Sequence, residues 1–323
     1  MNTYLHKKFY INTKELVKNI QLDRIIIAIS GGQDSVCLIK LIQDFKNHYH
    51  PLLKIEYIYI DHQWKKDSKN QVKHLSNFIR NIKEKIYIYQ LPNIAISETK
   101  ARKLRYQLII QHSMYYKNCI IITAHTETDQ IETFWIQIMR GTGIDGATSL
   151  TKQRLLYNHT KLLRPMINFK RIDIHWFCRK FCLPIWSDIT NYIYSIDRNR
   201  LRYELMPYLK KYFQYNIEKQ IYKFLDNCNL DNEYIKQNTV KLYLMSRHPI
   251  NIAINYSIVQ KQHLALQKRT LQAFFYHNIN IVLNYDTLSK LIEVIKKDII
   301  KYNNIAIFKN INITIHNHWI YIY

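Results

Sequence analysis

The first group of residues that could do chemistry is a short turn rich in glycine and hydroxyl side chains. It comprises Ser30, Gly31, Gly32, Gln33, Asp34 and Ser35. An apolar run, Ile25 to Ile29, precedes this turn, and a segment of helical period follows it. Glycines allow the backbone to approach phosphate oxygens, and the free amides at a helix start carry a partial positive charge. The spacing therefore predicts a phosphate loop, defined here as residues 30–35, although an ordinary capped turn would use the same residue types.

Glycine placement favours the phosphate loop over the ordinary turn. The five glycines of the chain occupy two loops only: Gly31, Gly32, Gly141, Gly143 and Gly146. A chain so poor in glycine keeps it where a positive φ or a close ligand requires it. The turn contains neither the Gly-Lys-Ser/Thr of a Walker A loop nor the G-x-G-x-x-G of a dinucleotide site.

Polar residues also follow the next predicted strand and lie on a nearby predicted helix. Asp61 and His62 come directly after the apolar run Ile55 to Ile60, where a hydrogen-bonded structural histidine is the alternative interpretation. Arg102 and Arg105 share one face of a helix predicted around 98–106. A solvated, salt-bridged helix face would have the same pattern.

A further motif follows the run Cys119 to Ala124. It begins with His125 and places Asp129 and Glu132 on one helical face. The two carboxylates could hold Mg²⁺ or act as a base, and the alternative is that acidic residues simply favour a helix N-terminus. Arg140 and Gly141 then open the second glycine loop.

Alternating strand-length and helix-length segments must position these motifs. Four buried strands are predicted at 25–29, 55–60, 86–91 and 119–124. This pattern predicts an α/β fold with a doubly wound, mostly parallel sheet, which binds ligands beyond the carboxyl ends of its strands. Helices are predicted at 213–229, 259–276 and 285–300, and an alternating tail predicts a terminal hairpin. We therefore expect a domain at 1–210 and a smaller, mainly helical domain at 211–323.

Charge and composition narrow the classes of partner. Lys and Arg number 47 against 24 Asp and Glu, a net charge of +23, which favours a polyanion such as nucleic acid. We set a membrane aside because no run of 18 apolar residues occurs. Heavy use of Ile, Lys, Asn and Tyr suits an A+T-rich genome and accounts for part of the basicity.

The odd count of five cysteines predicts reduced core residues, and the N-terminus lacks a signal or transit pattern.

The order of the motifs resembles one enzyme family. SGGxDS, DH, ExxARxxRY, a His followed by DQxET, and RGxG occur in the order typical of the lysidine synthetase branch of the PP-loop ATP-pyrophosphatase superfamily. The resemblance spans about residues 25 to 210 and continues in three further motifs, Arg164-Pro165, Asp188-x-x-Asn191 and Arg198-Asn199-x-x-Arg202. Thr128 replaces the first acid of the usual DDQ, which leaves Asp129 for any metal role there.

The resemblance implies an adenine nucleotide alpha hydrolase-like fold and a ligase that uses ATP and Mg²⁺. Its substrates would be free L-lysine and the wobble cytidine of tRNA(Ile) with a CAU anticodon, activated as an adenylate. The catalytic residues implied are Asp34, Asp129, Arg102 and Arg105, with Asp34 and Asp129 also holding the metal. The residues implied in ATP binding are Ser30, Gly31, Gly32, Gln33, Asp34, Ser35, Asp61, His62, Arg140 and Gly141. Arg102, Arg105 and Arg140 are candidates for phosphate or RNA contacts, and Glu132 for the lysine ammonium.

Other interpretations stay open at this point. A tRNA thiolase of the same superfamily would usually carry cysteine pairs, and the nearest spacing here is Cys178 and Cys182 on a predicted helix. Ammonia-using synthetases and a non-catalytic RNA-binding protein are further alternatives. The resemblance suits a plastid stroma or a bacterial cytoplasm, and it leaves the oligomeric state open, with a homodimer as one option.

Overall fold

The structure is a computed structural model that describes residues 3–18, 23–61, 68–91, 98–156, 160–186, 197–296, 305–308 and 311–322. The chain divides into two compact units, Met1–Asp226 and Asn227–Tyr323. The division falls inside one long helix, and the domain boundary near residue 210 stays a prediction. No helix among the described residues is long and apolar enough to span a membrane.

The first unit is built on a six-stranded sheet in the order β3-β2-β1-β4-β6-β5. Its strands are β1 (Arg24–Ile29), β2 (Lys54–Asp61), β3 (Lys85–Gln90), β4 (Cys119–Thr123), β5 (Gln153–Leu155) and β6 (Lys161–Leu163). All neighbouring pairs are parallel except β5 and β6. The predicted doubly wound, mostly parallel α/β sheet is therefore confirmed.

Helices surround this sheet and are α1 (Tyr4–Val17), α2 (Gln33–Tyr49), α3 (Ser68–Asn81), α4 (Glu98–Ser113), α5 (Glu127–Met139), α6 (Ile144–Ala147), α7 (Arg171–Lys180), α8 (Asp197–Arg200) and α9 (Met206–Tyr212). A π-helical turn, Leu201–Leu205, joins α8 and α9 into one helical run. Strand β1 explains the layering, since Ile25 and Ile27 enter one apolar core with α1, α2 and α7. Ile26 enters a second core with α4.

The four predicted strands are confirmed to within one residue at each end, but several elements were not predicted from the sequence. Helix α1 is one of them, although its capping box is formed by ordinary residue types. Thr3 Oγ1 accepts the His6 amide, and His6 Nδ1 accepts the Thr3 amide at 3.1 Å. The short strands β5 and β6 were also missed, because three-residue strands have too few positions to show a period.

The cysteine prediction needs one correction. Cys37, Cys119 and Cys178 are buried and free, as expected, but Cys182 is exposed and Cys228 is half-buried. Helix α7 ends at Lys180, and the chain turns away through a positive φ of 46° at Cys182. Cys182 therefore does not share a helical face with Cys178.

The second unit combines helices with a four-stranded antiparallel sheet in the order β7-β10-β9-β8. Its elements, together with the helix that crosses the division, are α10 (Ile217–Ser246), β7 (Ala253–Asn255), α11 (Tyr256–Val259), α12 (Leu264–Ile279), α13 (Tyr285–Lys296), β8 (Ile305–Phe308), β9 (Ile311–His316) and β10 (Trp319–Ile322). Strands β9 and β10 form the predicted terminal hairpin, with Asn317 and His318 both at positive φ in its turn. Predicted residues 297–300 of the last helix lie outside the described ranges.

A buried polar cluster lies at the amino-terminal side of the main sheet. The Glu56 carboxylate, 2 % exposed, accepts from Arg24 and from the Tyr116 hydroxyl at 3.1 Å, and it lies 3.0 Å from His112 Nε2. The Arg24 guanidinium also lies 4.0 Å from the centre of the Tyr116 ring. Each polar group is thus paired, which is what makes a buried charge tolerable.

Removing this carboxylate should be costly. Glu56→Ala leaves the largely buried Arg24 side chain without its partner, so we expect a loss of about 3–5 kcal/mol in the free energy of unfolding. Urea denaturation measures it. Glu204→Ala is the matched control, because Glu204 pairs with Arg200 at 51 % and 61 % exposure, where a pair contributes only about 0–1 kcal/mol. Equal losses in the two variants would contradict this account.

Candidate active site

The strand order reverses between β1 and β4. From β1 the chain builds β2 and β3 on one side of the sheet, and it then crosses to β4 on the other side. The segments that leave β1 and β4 in opposite directions therefore open a crevice at the carboxyl edge of the sheet. The phosphate loop follows β1, and the segment from His125 to Glu132 follows β4, so topology brings these two predicted motifs together.

Side-chain hydrogen bonds hold the phosphate loop in shape. The Ser30 amide donates to Ser35 Oγ at 3.0 Å, and the two serine hydroxyls lie 2.9 Å apart. Gln71 of α3 donates to the Ser30 carbonyl at 2.6 Å. Gly31 has a φ of +79°, and a Cβ there would lie 3.1 Å from Leu75, so the position requires glycine.

The N-terminus of helix α2 opens on this loop. Gly32 is its N-cap residue and supplies no capping side chain, so its first-turn amides lack the side-chain acceptor that usually covers them. Such amides suit phosphate oxygens.

Asp34 and Asp129 lie on the two sides of the crevice and interact electrostatically. Burial, followed by the Asp129 charge, raises the pKa of Asp34 to about 6, while Arg171 and Arg202 oppose the shift. Asp129 Oδ2 accepts from the Thr126 amide at 2.8 Å and from its hydroxyl at 3.0 Å, which caps helix α5. Asp129 therefore acts as a capping residue at the N-terminus of α5 through Oδ2, and its Oδ1 does not take part in the cap.

These two carboxylates fit a magnesium ion. Mg²⁺ usually binds one or two carboxylates together with substrate phosphates and water. Burial is the main cause of the raised pKa of Asp34, and a bound cation would relieve the second cause, the repulsion from Asp129. Among the described residues, no group of three His, Cys, Asp or Glu side chains gathers as a metal centre, so phosphate oxygens would have to complete the coordination.

Glu132 is the most deeply buried acid of this crevice. It is 1 % exposed and pairs through Oε1 with Arg202, at 2.7 Å from Nε and 2.6 Å from Nη2. Its second oxygen, Oε2, is buried and has no hydrogen-bond partner. Burial raises the pKa of Glu132 to about 7, against the opposing effect of Arg202.

Three guanidinium groups lie near His125, in the same segment that carries Asp129. Burial lowers the pKa of His125 to about 3, and Arg164, Arg102 and Arg105 lower it further, although Asp129 opposes them. The imidazole is therefore neutral near pH 7. Burial alone would raise the pKa of Tyr106, but the same three guanidinium groups outweigh it and lower the pKa.

The structure does not gather every predicted site residue. Asp61 is buried at the end of β2, whereas His62, Asp188 and Asn191 lie outside the described residues. Arg140 and Gly141 are exposed at the far end of α5, about 17 Å along the helix from Asp129 at about 1.5 Å per residue. Their place fits the RNA-contact alternative better than a contact with the phosphate loop.

Four residues that shape the crevice had no role predicted from the sequence: Arg164, Arg171, Arg202 and Gln71. Arg164 is 2 % exposed and donates to the Thr151 carbonyl at 2.7 Å, while its Nε has no partner. Arg164 and Arg202 belong to the family motifs named above, and their burial could have been suspected from the apolar residues around them. Gln71 and Arg171 give no such signal in the sequence.

The parallel sheet, the glycine loop and the adjoining helix N-terminus define a PP-loop ATP-binding protein. In agreement, residues 5–209 match the PP-loop domain family. Over 325 aligned residues the chain is 49 % identical to the chloroplastic tRNA(Ile)-lysidine synthase of Gracilaria tenuistipitata var. liui, covering 99 % of each chain. It is 33 % identical to the tRNA(Ile)-lysidine synthase of the cyanobacterium Nostoc sp., covering 91 % of this chain and 89 % of the other. The chain belongs to the tRNA(Ile)-lysidine synthase family and is an ATP-using enzyme.

A solved structure supports the fold independently. The U34-tRNA thiolase NcsA from Methanococcus maripaludis, solved with its [4Fe-4S] cluster, matches 68 % of this chain and 77 % of its own with a TM-score of 0.56. The sequence identity is 13 %, so the likeness concerns the fold alone.

The raised pKa of Asp34 predicts a pH-dependent stability. Its pKa rises from 3.8 to about 6, so the metal-free folded state holds this proton more tightly than the unfolded state. The free energy of unfolding should therefore fall as pH rises from about 4 to about 6. Asp34→Asn removes the titration, and we expect the stability difference between wild type and variant to change by up to about 3 kcal/mol across that window.

Urea denaturation at a series of pH values, with EDTA present, measures this difference. Asp23→Asn is the control, because Asp23 is exposed at the opposite end of strand β1. A difference between wild type and Asp34→Asn that stays constant from about pH 4 to about pH 6 would contradict the raised pKa.

Proposed function

We propose that this protein ligates free L-lysine to C2 of the wobble cytidine of tRNA(Ile) with a CAU anticodon. ATP activates the cytidine as an adenylate, and AMP and pyrophosphate are released. Both relatives described above are tRNA(Ile)-lysidine synthases that match the chain over about nine-tenths of its length or more.

The observation that carries the proposal is the unpaired oxygen of Glu132. A buried carboxylate oxygen without a partner is costly, and it is tolerated where a ligand completes its hydrogen bonding. Glu132 Oε2 is in this state one helical turn beyond Asp129, beside the predicted phosphate site. An ATPase needs no such group, whereas an enzyme that binds an ammonium needs an acceptor for it.

The first step forms a bond between the cytidine C2 oxygen and the α-phosphorus of ATP and breaks the bond to pyrophosphate. The phosphate loop would hold the departing pyrophosphate through the amides of helix α2. Negative charge grows on the phosphates in this step, and the guanidinium groups of Arg102, Arg105 and Arg164 near His125 would stabilise it. Mg²⁺ bound by Asp34, Asp129 and phosphate oxygens would neutralise further charge.

The second step forms a bond between the lysine ε-nitrogen and C2 and breaks the bond from C2 to the AMP oxygen. The ammonium must lose a proton before its nitrogen can attack. Glu132, whose pKa is raised to about 7 by burial, is suited to hold the ammonium and to accept that proton. His125 stays neutral at working pH, so it adds no positive charge that would repel the ammonium.

The remaining parts of the proposal concern the tRNA and the compartment. We assign the helical region at 211–323 to tRNA binding, and the net charge of +23 of the whole chain provides an electrostatic driving force for binding a polyanion. The chloroplastic and cyanobacterial relatives support a plastid stroma or a bacterial cytoplasm as the site of action. The homodimer stays a prediction, which sedimentation of the purified chain would measure.

Lysine transfer to RNA is the direct test. Purified protein with ATP, Mg²⁺ and isotopically labelled lysine should place label in acid-insoluble tRNA(Ile) bearing CAU, but not in the same tRNA with uridine at the wobble position. Asp34→Ala should lower tRNA-dependent pyrophosphate release about 100-fold or more, the usual cost of losing a group that stabilises transition-state charge. Asp23→Ala, at the amino end of the same strand, should leave the rate unchanged.

The outcomes separate the alternatives. A thiolase would release pyrophosphate with this tRNA yet incorporate no lysine, and a non-catalytic RNA-binding protein would do neither. Normal pyrophosphate release by Asp34→Ala would show that the phosphate loop does not serve the reaction.

The lysine role of Glu132 has its own test. Glu132→Gln keeps the size of the side chain but removes its charge, so the KM for lysine should rise about 10- to 100-fold, as expected for a lost charge-assisted hydrogen bond. Pyrophosphate release in a single turnover without lysine should change by less than about threefold. Glu204→Gln, at an exposed pair, is the control. An unchanged KM, or an equal loss in both steps, would refute the assignment.

A further inference from the structure

Helix α9 and the residues just after it carry an exposed aromatic patch. The patch consists of Tyr208, Tyr212, Phe213 and Tyr215, which are 53 %, 61 %, 72 % and 82 % exposed. Lys210 and Lys211 lie between the aromatic positions. Single exposed aromatic residues are common, but four within eight residues form a surface that usually has a partner.

The patch is not part of a core. Helix α9 already buries its other face, where Met206 joins an apolar cluster with Ile131 and Leu225, and Leu209 packs against it. The outward face of such a helix normally carries polar residues. Here it carries phenol and phenyl rings, so the packing of this unit does not explain them.

The rings lie close together, tilted against one another by 43° and 56°, with two lysines beside them. The Tyr208 ring lies 4.9 Å from Tyr212 and 6.1 Å from Phe213, measured between centroids. Lys211 Nζ lies 4.8 Å from the centre of the Tyr212 ring, and Lys210 pairs with Glu218 at 2.8 Å. Aromatic faces next to a cation are the features that bind unpaired bases and their phosphates.

The patch is attached rigidly to the candidate active site. Arg202, which pairs with Glu132, belongs to the same helical run as Tyr212. At a rise of about 1.5 Å per residue, the run from Arg202 to Tyr212 is about 15 Å long. This length corresponds to about four stacked base steps of about 3.4 Å each.

We propose that the aromatic patch stacks unpaired nucleotides of the tRNA anticodon loop that lie within about four base steps of the reacting base. This inference rests on the proposed function, because it requires the reacting base to lie at the carboxylates. A reacting base must leave its stack to be reached, and stacking its neighbours on fixed rings compensates for part of that loss. A second copy of the chain is the other occupant that an aromatic surface could take, but the Lys211 ammonium beside the Tyr212 ring favours RNA.

The test compares binding of the anticodon stem-loop by matched variants. The double variant Tyr212→Ala/Phe213→Ala should weaken binding about tenfold or more, the effect of losing at least one base stack. Tyr212→Phe retains the ring and should bind within about twofold of wild type. Tyr115→Ala is the control, because Tyr115 is also 82 % exposed but lies beyond the C-terminus of α4, at the amino-terminal edge of the sheet.

A fluorescent base locates the contact. With 2-aminopurine placed in turn at each unpaired loop position within about four nucleotides of the wobble position, binding to wild type and to Tyr212→Phe should quench its fluorescence at one position or more, and the double alanine variant should lose this quenching. Unchanged affinity and quenching in the double variant would overturn the inference. A dimer in sedimentation that the double variant dissociates, with RNA binding intact, would overturn it in favour of a second copy.

Lysine incorporation separates this inference from the proposed function. If wild-type protein incorporates lysine and the double variant keeps its KM for tRNA, only the aromatic patch has been misassigned. If wild type incorporates no lysine at all, the proposed function itself fails.

Discussion

Three carboxylates share one edge of the sheet because guanidinium groups lie around them. Asp129 repels both Asp34 and Glu132, and burial makes the negative charges of Asp34 and Glu132 more costly. Arg171 and Arg202 offset this cost at Asp34. The crevice therefore holds opposite charges close together without pairing all of them. The clearest case is Glu132 Oε2, which is buried and has no hydrogen-bond partner.

This division of charge suits a reaction with two unlike substrates. Phosphates are anionic and need cations or amides, while an amino acid side chain arrives as a cation and needs carboxylates. Three guanidinium groups near His125, those of Arg102, Arg105 and Arg164, can bind the phosphates. Glu132 can accept the cationic side chain. His125 lies near both kinds of charge and is neutral, whereas a charged imidazole would repel the arriving cation.

The helical run that contains the π-turn connects the candidate active site with the aromatic patch. Its first part supplies Arg202 to the buried pair with Glu132, and its last part presents the aromatic patch to solvent. A rigid connection of this kind fixes the distance between the reacting base and the neighbouring nucleotides, which flexible loops would leave variable. Under the proposed function, the same helical run would position both the Glu132–Arg202 pair and the RNA.

The sequence by itself determined the first four strands of the sheet and the phosphate loop, since both depend on local signals. β-branched runs such as Ile25 to Ile29 specify buried strands, and Gly31 occupies a backbone conformation that other residues avoid. The terminal hairpin was predictable for the same reason, from a period of two and a turn at Asn317.

Only the tertiary structure decided which charged residues meet. Arg202 lies 70 residues beyond Glu132, and no local pattern indicates that they pair at the base of a crevice. It also decided that Arg140 lies far along α5 and that Cys182 is exposed. Backbone propensities act over a few residues, whereas the partner and burial of a charge depend on how distant segments pack, and that is set by the whole fold.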